Sequence, residues 1–166
     1  GIIIGNERTD IMALENVEKH FEQFNIKDKI ILLNESTATV ELAAKALNTE
    51  EDRIAKSLSF LVNEEPIVIV VSGNSKISNS KFKQYFHEKA HMISFDDVEN
   101  LVGHPVGGVC SFAVKENVKV YLDNSLKKHK TIFPACGTPA SAIELTPEEM
   151  EKYFRILNPL EPLGRS

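Results

Sequence analysis

An alternating segment, followed after a turn by an unbroken apolar run, sets the strongest limit on how this chain folds. Residues 54–62 read Ile-Ala-Lys-Ser-Leu-Ser-Phe-Leu-Val. Successive side chains of a strand point to opposite faces. Ile54, Lys56, Leu58, Phe60 and Val62 therefore share one face, and Ala55, Ser57, Ser59 and Leu61 the other. Asn63-Glu64-Glu65-Pro66 reads as a turn, and Ile67–Val71 is wholly apolar. Such a strand is expected to be buried on both faces. The two segments predict a hairpin in the core of a sheet.

Other elements follow from spacing and caps. Met12–Phe24 carries Leu14, Val17, Phe21 and Phe24 at helical spacing. Ile30–Leu33 reads as a short strand. Thr39 is placed to cap a helix that ends at Asn48, with Glu41 in its first turn. Ser78 caps a helix running to about His87, with Phe82 and Phe86 one turn apart. Phe95–Leu101 is a further helical stretch. Strands are expected at Val109–Val114, Val118–Leu122, Thr131–Pro134 and Ala142–Leu145. Thr146-Pro147-Glu148-Glu149 opens a last helix, with proline at its first position. Strands and helices mix without strict alternation, so the expected class is α/β with a mixed sheet and helices packed outside. A length of 166 residues suits one domain. Residues 12–158 are assigned to it, with 1–11 and 159–166 as terminal extensions.

The net charge of −5 argues against a broad basic surface for tight nucleic-acid binding. Local clusters remain at Lys127, Lys128 and Lys130, and at Lys76, Lys81 and Lys83. They are either solvated faces or holds for a few phosphates, and any RNA contact is expected to be modest and transient. Cys110 and Cys136 form no C-x-x-C pair, against a zinc ribbon or a disulfide framework. A reducing cytosol is the expected setting. No apolar run is long enough to span a bilayer, and residues 1–10 lack the pattern of a secretory signal.

Several residues are candidates for chemistry. Lys56 lies on the same strand face as Leu58, Phe60 and Val62, so it either snorkels to solvent or lines a cavity. In a cavity its ammonium needs an anion or a carbonyl. Gly103-His104-Pro105-Val106-Gly107-Gly108 is a loop whose backbone N–H groups suit a carbonyl or phosphate oxygen, or a plain connection. It matches neither the phosphate loop nor the dinucleotide fingerprint. His87-Glu88-Lys89-Ala90-His91 fits H-E-x-x-H, which would bind zinc if both histidines shared a helical face. The chain is read as leaving the helix by His91, against such a site. Cys110 sits in an apolar context and reads as structural rather than as a nucleophile. Asp123 either caps the next helix or points into a pocket. Gly137-Thr138-Pro139 is a tight turn that borders a site only if the sheet brings it near Lys56.

Taken in order, several stretches resemble the YbaK/ProX family of aminoacyl-tRNA deacylases, including the editing domain inserted in bacterial prolyl-tRNA synthetases. They are Thr39–Ala44, Ile54–Phe60, Gly103–Cys110, Tyr121–Leu126, and Gly137-Thr138-Pro139 leading into Ile143–Glu148. The resemblance spans roughly residues 14 to 155. It implies a curved, barrel-like sheet with helices outside, and Lys56 as the central lysine. It implies substrate contacts at Thr39, Ser57, Gly103, His104, Pro105, Gly107, Gly108, Asp123, Gly137 and Thr138. It also implies hydrolysis of the ester joining a wrong small amino acid, such as cysteine or alanine, to the 3′ end of proline tRNA. No metal or cofactor is implied, and the implied partners are aminoacyl-tRNA and prolyl-tRNA synthetase.

Departures from the family pattern are Ser111-Phe112-Ala113, where Pro-Phe-Gly is common, and the lack of histidine at 134–142. The latter weighs against alanine as the substrate. An aminoacyl ester is already activated, so positioning, a cation and backbone donors near Gly107 and Gly108 would suffice, with water or the substrate's own side chain attacking. The rival readings are a non-catalytic module that binds tRNA or a synthetase, and a zinc hydrolase using His87, Glu88 and His91.

Overall fold

The computed structural model describes residues 14–103, 112, 114–115 and 117–155. The chain begins with a helix over residues 14–22 (α1) and a two-residue strand, Ile31–Leu32 (β1). Helix Val40–Leu47 (α2) starts where Thr39 accepts a hydrogen bond from the Leu42 N–H, and Asn48 ends it in the left-handed region. A 3-10 turn, Glu51–Arg53, leads into the hairpin.

The hairpin pairs Ile54–Val62 (β2) with Glu65–Ser72 (β3) without a break, from Ala55 opposite Ser72 to Val62 opposite Glu65. Its turn is tighter than the sequence predicts. Asn63 and Glu64 both have positive φ, and Glu65 and Pro66 already belong to β3. Two left-handed residues give a turn whose twist matches the strands it joins. The Glu88 carboxylate fixes it by accepting from the Asn63 N–H at 3.0 Å.

After β3 come helix Asn79–Phe86 (α3), strand His91–Met92 (β4), helix Val98–Val102 (α4), strands Lys119–Leu122 (β5), Phe133–Pro134 (β6) and Ser141–Ala142 (β7), and helix Pro147–Arg155 (α5). Helix α4 starts later than expected, because Ser94 and Asp97 close a polar turn ahead of it. Helix α5 opens with a reciprocal box in which Thr146 and Glu149 satisfy each other's backbone N–H.

The sheet is mixed. β2 and β3 are antiparallel, β5 runs parallel to β3, and β6 runs parallel to β2. β4 pairs antiparallel with the far end of β2, and β1 and β7 form a separate ladder. Among the described residues the sheet is open, with order β4-β2-β3-β5, so the barrel expectation is not met there. Strands expected at Thr131–Pro134 and Ala142–Leu145 are shorter, continued by bridges from Ile132 to Leu145 and from Ala135 to Ala142. Most of the expected strand Val109–Val114 lies outside the described residues.

Alternation along β2 and β3 divides the core. Ala55, Val68, Val70 and Val120 pack with Val17, Phe21, Val102 and Met150 from the helices on one face. Phe60, Ile69, Val71 and Tyr121 pack with Phe82 of α3 on the other. Burying a side chain of this size contributes on the order of 2 kcal/mol. A third cluster, of Ala43, Ala44, Ile54 and Phe133, seats α2 against the start of β2.

Candidate active site

Strand β2 has β3 along one edge. Along the other, β6 covers Ile54 and Ala55, and β4 covers Phe60 and Leu61. Among the described residues the stretch between, Lys56–Leu58, has no strand partner there, and Ser59 keeps a single bond from the Ile93 N–H. A cavity of about 310 Å³ opens at this gap, lined by residues 54–59, by Thr37–Val40, Ala43 and Leu47 around α2, and by Met92, Ile93, Val98, Phe133, Ala135, Ser141 and Ala142. The wall is mostly apolar, and Lys56 is the only ionisable side chain on it among the described residues.

Lys56 is half-buried, and its Nζ donates to the Gly73 carbonyl at 3.3 Å. An ammonium carries three N–H donors, and this is its one hydrogen bond among the described residues. Burial pushes its pKa below the ordinary lysine value, Glu41 opposes that shift, and Lys76 adds to it. The group therefore stands at the cavity wall with donors to spare.

The gap is held open by its flanks. Arg53 donates from Nε to the Thr131 carbonyl at 3.1 Å and from its guanidinium to Glu144 at 2.9 Å. It also lies over the Phe133 ring, 5.0 Å from the centroid, which ties β6 to the start of β2. Asp52 receives His129 at 2.7 Å and Lys128 at 3.2 Å. Burial alone would raise its pKa, but His129, Lys128, Ser72 and the Asn74 N–H outweigh that and hold it at about 2.

The candidate residues do not all converge. Thr39, Lys56 and Ser57 line the cavity. Gly137 and Thr138 sit behind its wall. Gly137 has φ +93°, and Thr138 bonds to Ser141 at 2.8 Å, while the Leu33 N–H donates to Ala140 at 2.9 Å. That turn positions Ser141, Ala142 and the Thr37 loop. Gly103 ends α4 with φ +106°, a conformation suited to glycine, and does not line the cavity. Asp123 caps the following turn through the Ser125 N–H and borders a different, smaller cavity of about 80 Å³. His104, Pro105, Gly107, Gly108 and Cys110 lie outside the described residues.

His87 and His91 do not share a helical face. His87 is the left-handed cap of α3, and His91 belongs to β4. No group of three metal-ligating side chains occurs among the described residues.

Sequence reasoning missed Thr37, Ser141 and Phe133 as wall residues. A hydroxyl-rich run, Ser36-Thr37-Ala38-Thr39, was the available signal for the first.

Comparison with known proteins decides the family. The profile described as the aminoacyl-tRNA editing domain matches residues 34–153. The chain belongs to that family. The editing domain is 46% identical to the uncharacterised protein YwhH of Bacillus subtilis (strain 168) over 143 residues, covering 86% of this chain and 91% of that one. It is 28% identical to proline–tRNA ligase of Aquifex aeolicus (strain VF5) over 132 residues, 78% of this chain but 23% of the ligase. A crystal structure of a proposed trans-editing enzyme for prolyl tRNA synthetase superposes with a TM-score of 0.77 at 24% identity, over 93% of this chain and 98% of that one. At that identity the likeness speaks for the fold. No helix among the described residues is long and apolar enough to cross a membrane.

Proposed function

We propose that this editing domain is a trans-acting deacylase, working in the cytosol, that hydrolyses the ester between a small wrong amino acid, cysteine or alanine, and the 3′ end of proline tRNA. The observation that carries this is the Lys56 ammonium on the wall of a largely apolar cavity at an uncovered strand edge. A cavity of about 310 Å³ suits a small aminoacyl group. Lys56 engages the terminal phosphate or the ester carbonyl, where its charge is worth more than in water. The glycine loop adds backbone donors. Water, or the substrate's own side chain, attacks the carbonyl carbon, and the ribose oxygen departs with a proton. No metal or cofactor has a role in this scheme.

The test is a panel of misacylated tRNAs, with cysteinyl- and alanyl-tRNA(Pro) first, assayed with wild type and Lys56→Ala. Turnover of a small aminoacyl group that is lost in the variant is expected. No turnover, with measurable binding of tRNA or of prolyl-tRNA synthetase, would instead make the domain a non-catalytic module.

A further inference from the structure

This edge of β2 also presents hydrogen-bonding groups that have no partner among the described residues. The Ser57 Oγ and the Thr37 Oγ1 are buried and have no hydrogen-bond partner among the described residues, and both residues line the cavity. Two other hydroxyls of the same wall are committed: Thr39 to the Leu42 N–H, and Ser141 to Thr138. A buried hydroxyl without a partner is costly, and a ligand that satisfies it recovers that cost.

The backbone of Ser57 faces the same way. Ser57 stands opposite Val70, whose carbonyl accepts from the Asp123 N–H on the far side of β3, away from β2. Ser59, two residues on, turns its carbonyl to Ile93 on the open side. N–H and C=O directions alternate along an antiparallel strand. The Ser57 C=O and N–H therefore point into the gap between β6 and β4.

We propose that Ser57 and Thr37 hold the α-amino group of the aminoacyl ester, which donates to the Ser57 carbonyl, the Ser57 Oγ and the Thr37 Oγ1. This rests on the deacylase reading and deepens it. The amine of an aminoacyl ester lies one carbon from the reacting carbonyl, and Lys56, Ser57 and Thr37 line one cavity, where the strand edge exposes the Ser57 backbone. No carboxylate among the described residues lines the cavity to take that amine. Neutral oxygen acceptors do so instead, and Val40, Ala43, Ile93 and Val98 remain for the hydrocarbon side chain.

The test compares alanyl-tRNA with lactyl-tRNA, in which a hydroxyl replaces the amine. The enzymes are wild type, Ser57→Ala, Thr37→Val and the double variant. Each substitution is expected to lower kcat/KM for alanyl-tRNA by roughly three- to tenfold and to lower it clearly less for lactyl-tRNA, whose hydroxyl donates one hydrogen bond where the amine donates up to three. Melting temperatures should hold or rise, because the deleted hydroxyls have no partner. Equal losses on both substrates, or none on either, overturn the assignment. A binding measurement independent of turnover is the NMR titration of alaninamide against lactamide. Wild type should prefer alaninamide and the double variant should not. That result without turnover would retain the amine site and remove the deacylase. Absence of any preference in wild type removes the amine site, whatever the turnover.

Discussion

Lys56 reaches past the end of its own hairpin to donate its ammonium to the carbonyl of Gly73, 3.3 Å away. Gly73 is where β3 leaves the sheet, and a Cβ there would lie 1.9 Å from the Glu51 carbonyl oxygen and 2.8 Å from Val40. The chain thus runs against both the 3-10 turn and α2 at the point that anchors the lysine. Gly73→Ala must push those segments apart. It is expected to cost about 1–3 kcal/mol, and thermal unfolding measures it. Turnover should fall further than Gly73→Ala destabilises, because the anchor of Lys56 moves with the backbone.

On the proposed reading Lys56 serves the reaction and not the fold. Lys56→Met replaces a partly desolvated cation by an apolar side chain of similar length, so its melting temperature should match or exceed that of wild type. Its kcat/KM on misacylated tRNA should fall by about a hundredfold or more. Lys56→Arg is expected to fail as a rescue, since a planar guanidinium does not fit an anchor built for one point charge. Activity that needs the ammonium should decline with rising pH at a value below that of an ordinary lysine, because burial lowers the group. A pH–rate profile checks this.

The hairpin was legible because its information is local: alternation in 54–62, an apolar run in 67–71, and a turn between them. So was the placement of Lys56 on the face carrying Leu58 and Phe60. The cavity was not legible, because it exists where β4 and β6 stop short of each other along β2. Those strands come from residues 91–92 and 133–134, and no pattern in β2 reports where distant partners end. Thr37 escaped for the same reason, since its loop is set against the wall by residues 139–142, distant in sequence. Asp123 was balanced between cap and pocket, and its carboxylate does cap the turn at Ser125.

Glu88 sits in the H-E-x-x-H sequence but acts as a strut, accepting from the Asn63 N–H in the β2–β3 turn. Glu88→Ala should leave deacylation within about twofold of wild type. It should lower stability by at most about 1 kcal/mol through the lost hydrogen bond. Treatment with a zinc chelator should not alter turnover in either protein. A large loss of activity in Glu88→Ala, restored by added zinc, would revive a metal mechanism.

His20 ties stability to pH far from the cavity. It is 3% exposed, among Phe21, Phe24 and Phe112, and neither ring nitrogen has a hydrogen-bond partner among the described residues. Burial lowers its pKa from 6.5 to about 4, and the nearby backbone of Tyr153 only partly offsets this. The unfolded chain therefore takes up a proton first as pH falls. The contribution of His20 to stability is complete above about pH 6.5 and is lost progressively toward pH 4. A shift of that size corresponds to about 3 kcal/mol. Below this window Asp52 takes over, its contribution fading from pH 3.8 to about 2 as the carboxylate bound by His129 and Lys128 is protonated. His20→Leu should flatten the upper part of the curve and leave the lower part in place. Denaturant unfolding at steps from pH 7 to pH 4 reads this directly, and an unchanged slope in the variant would assign the dependence to another group.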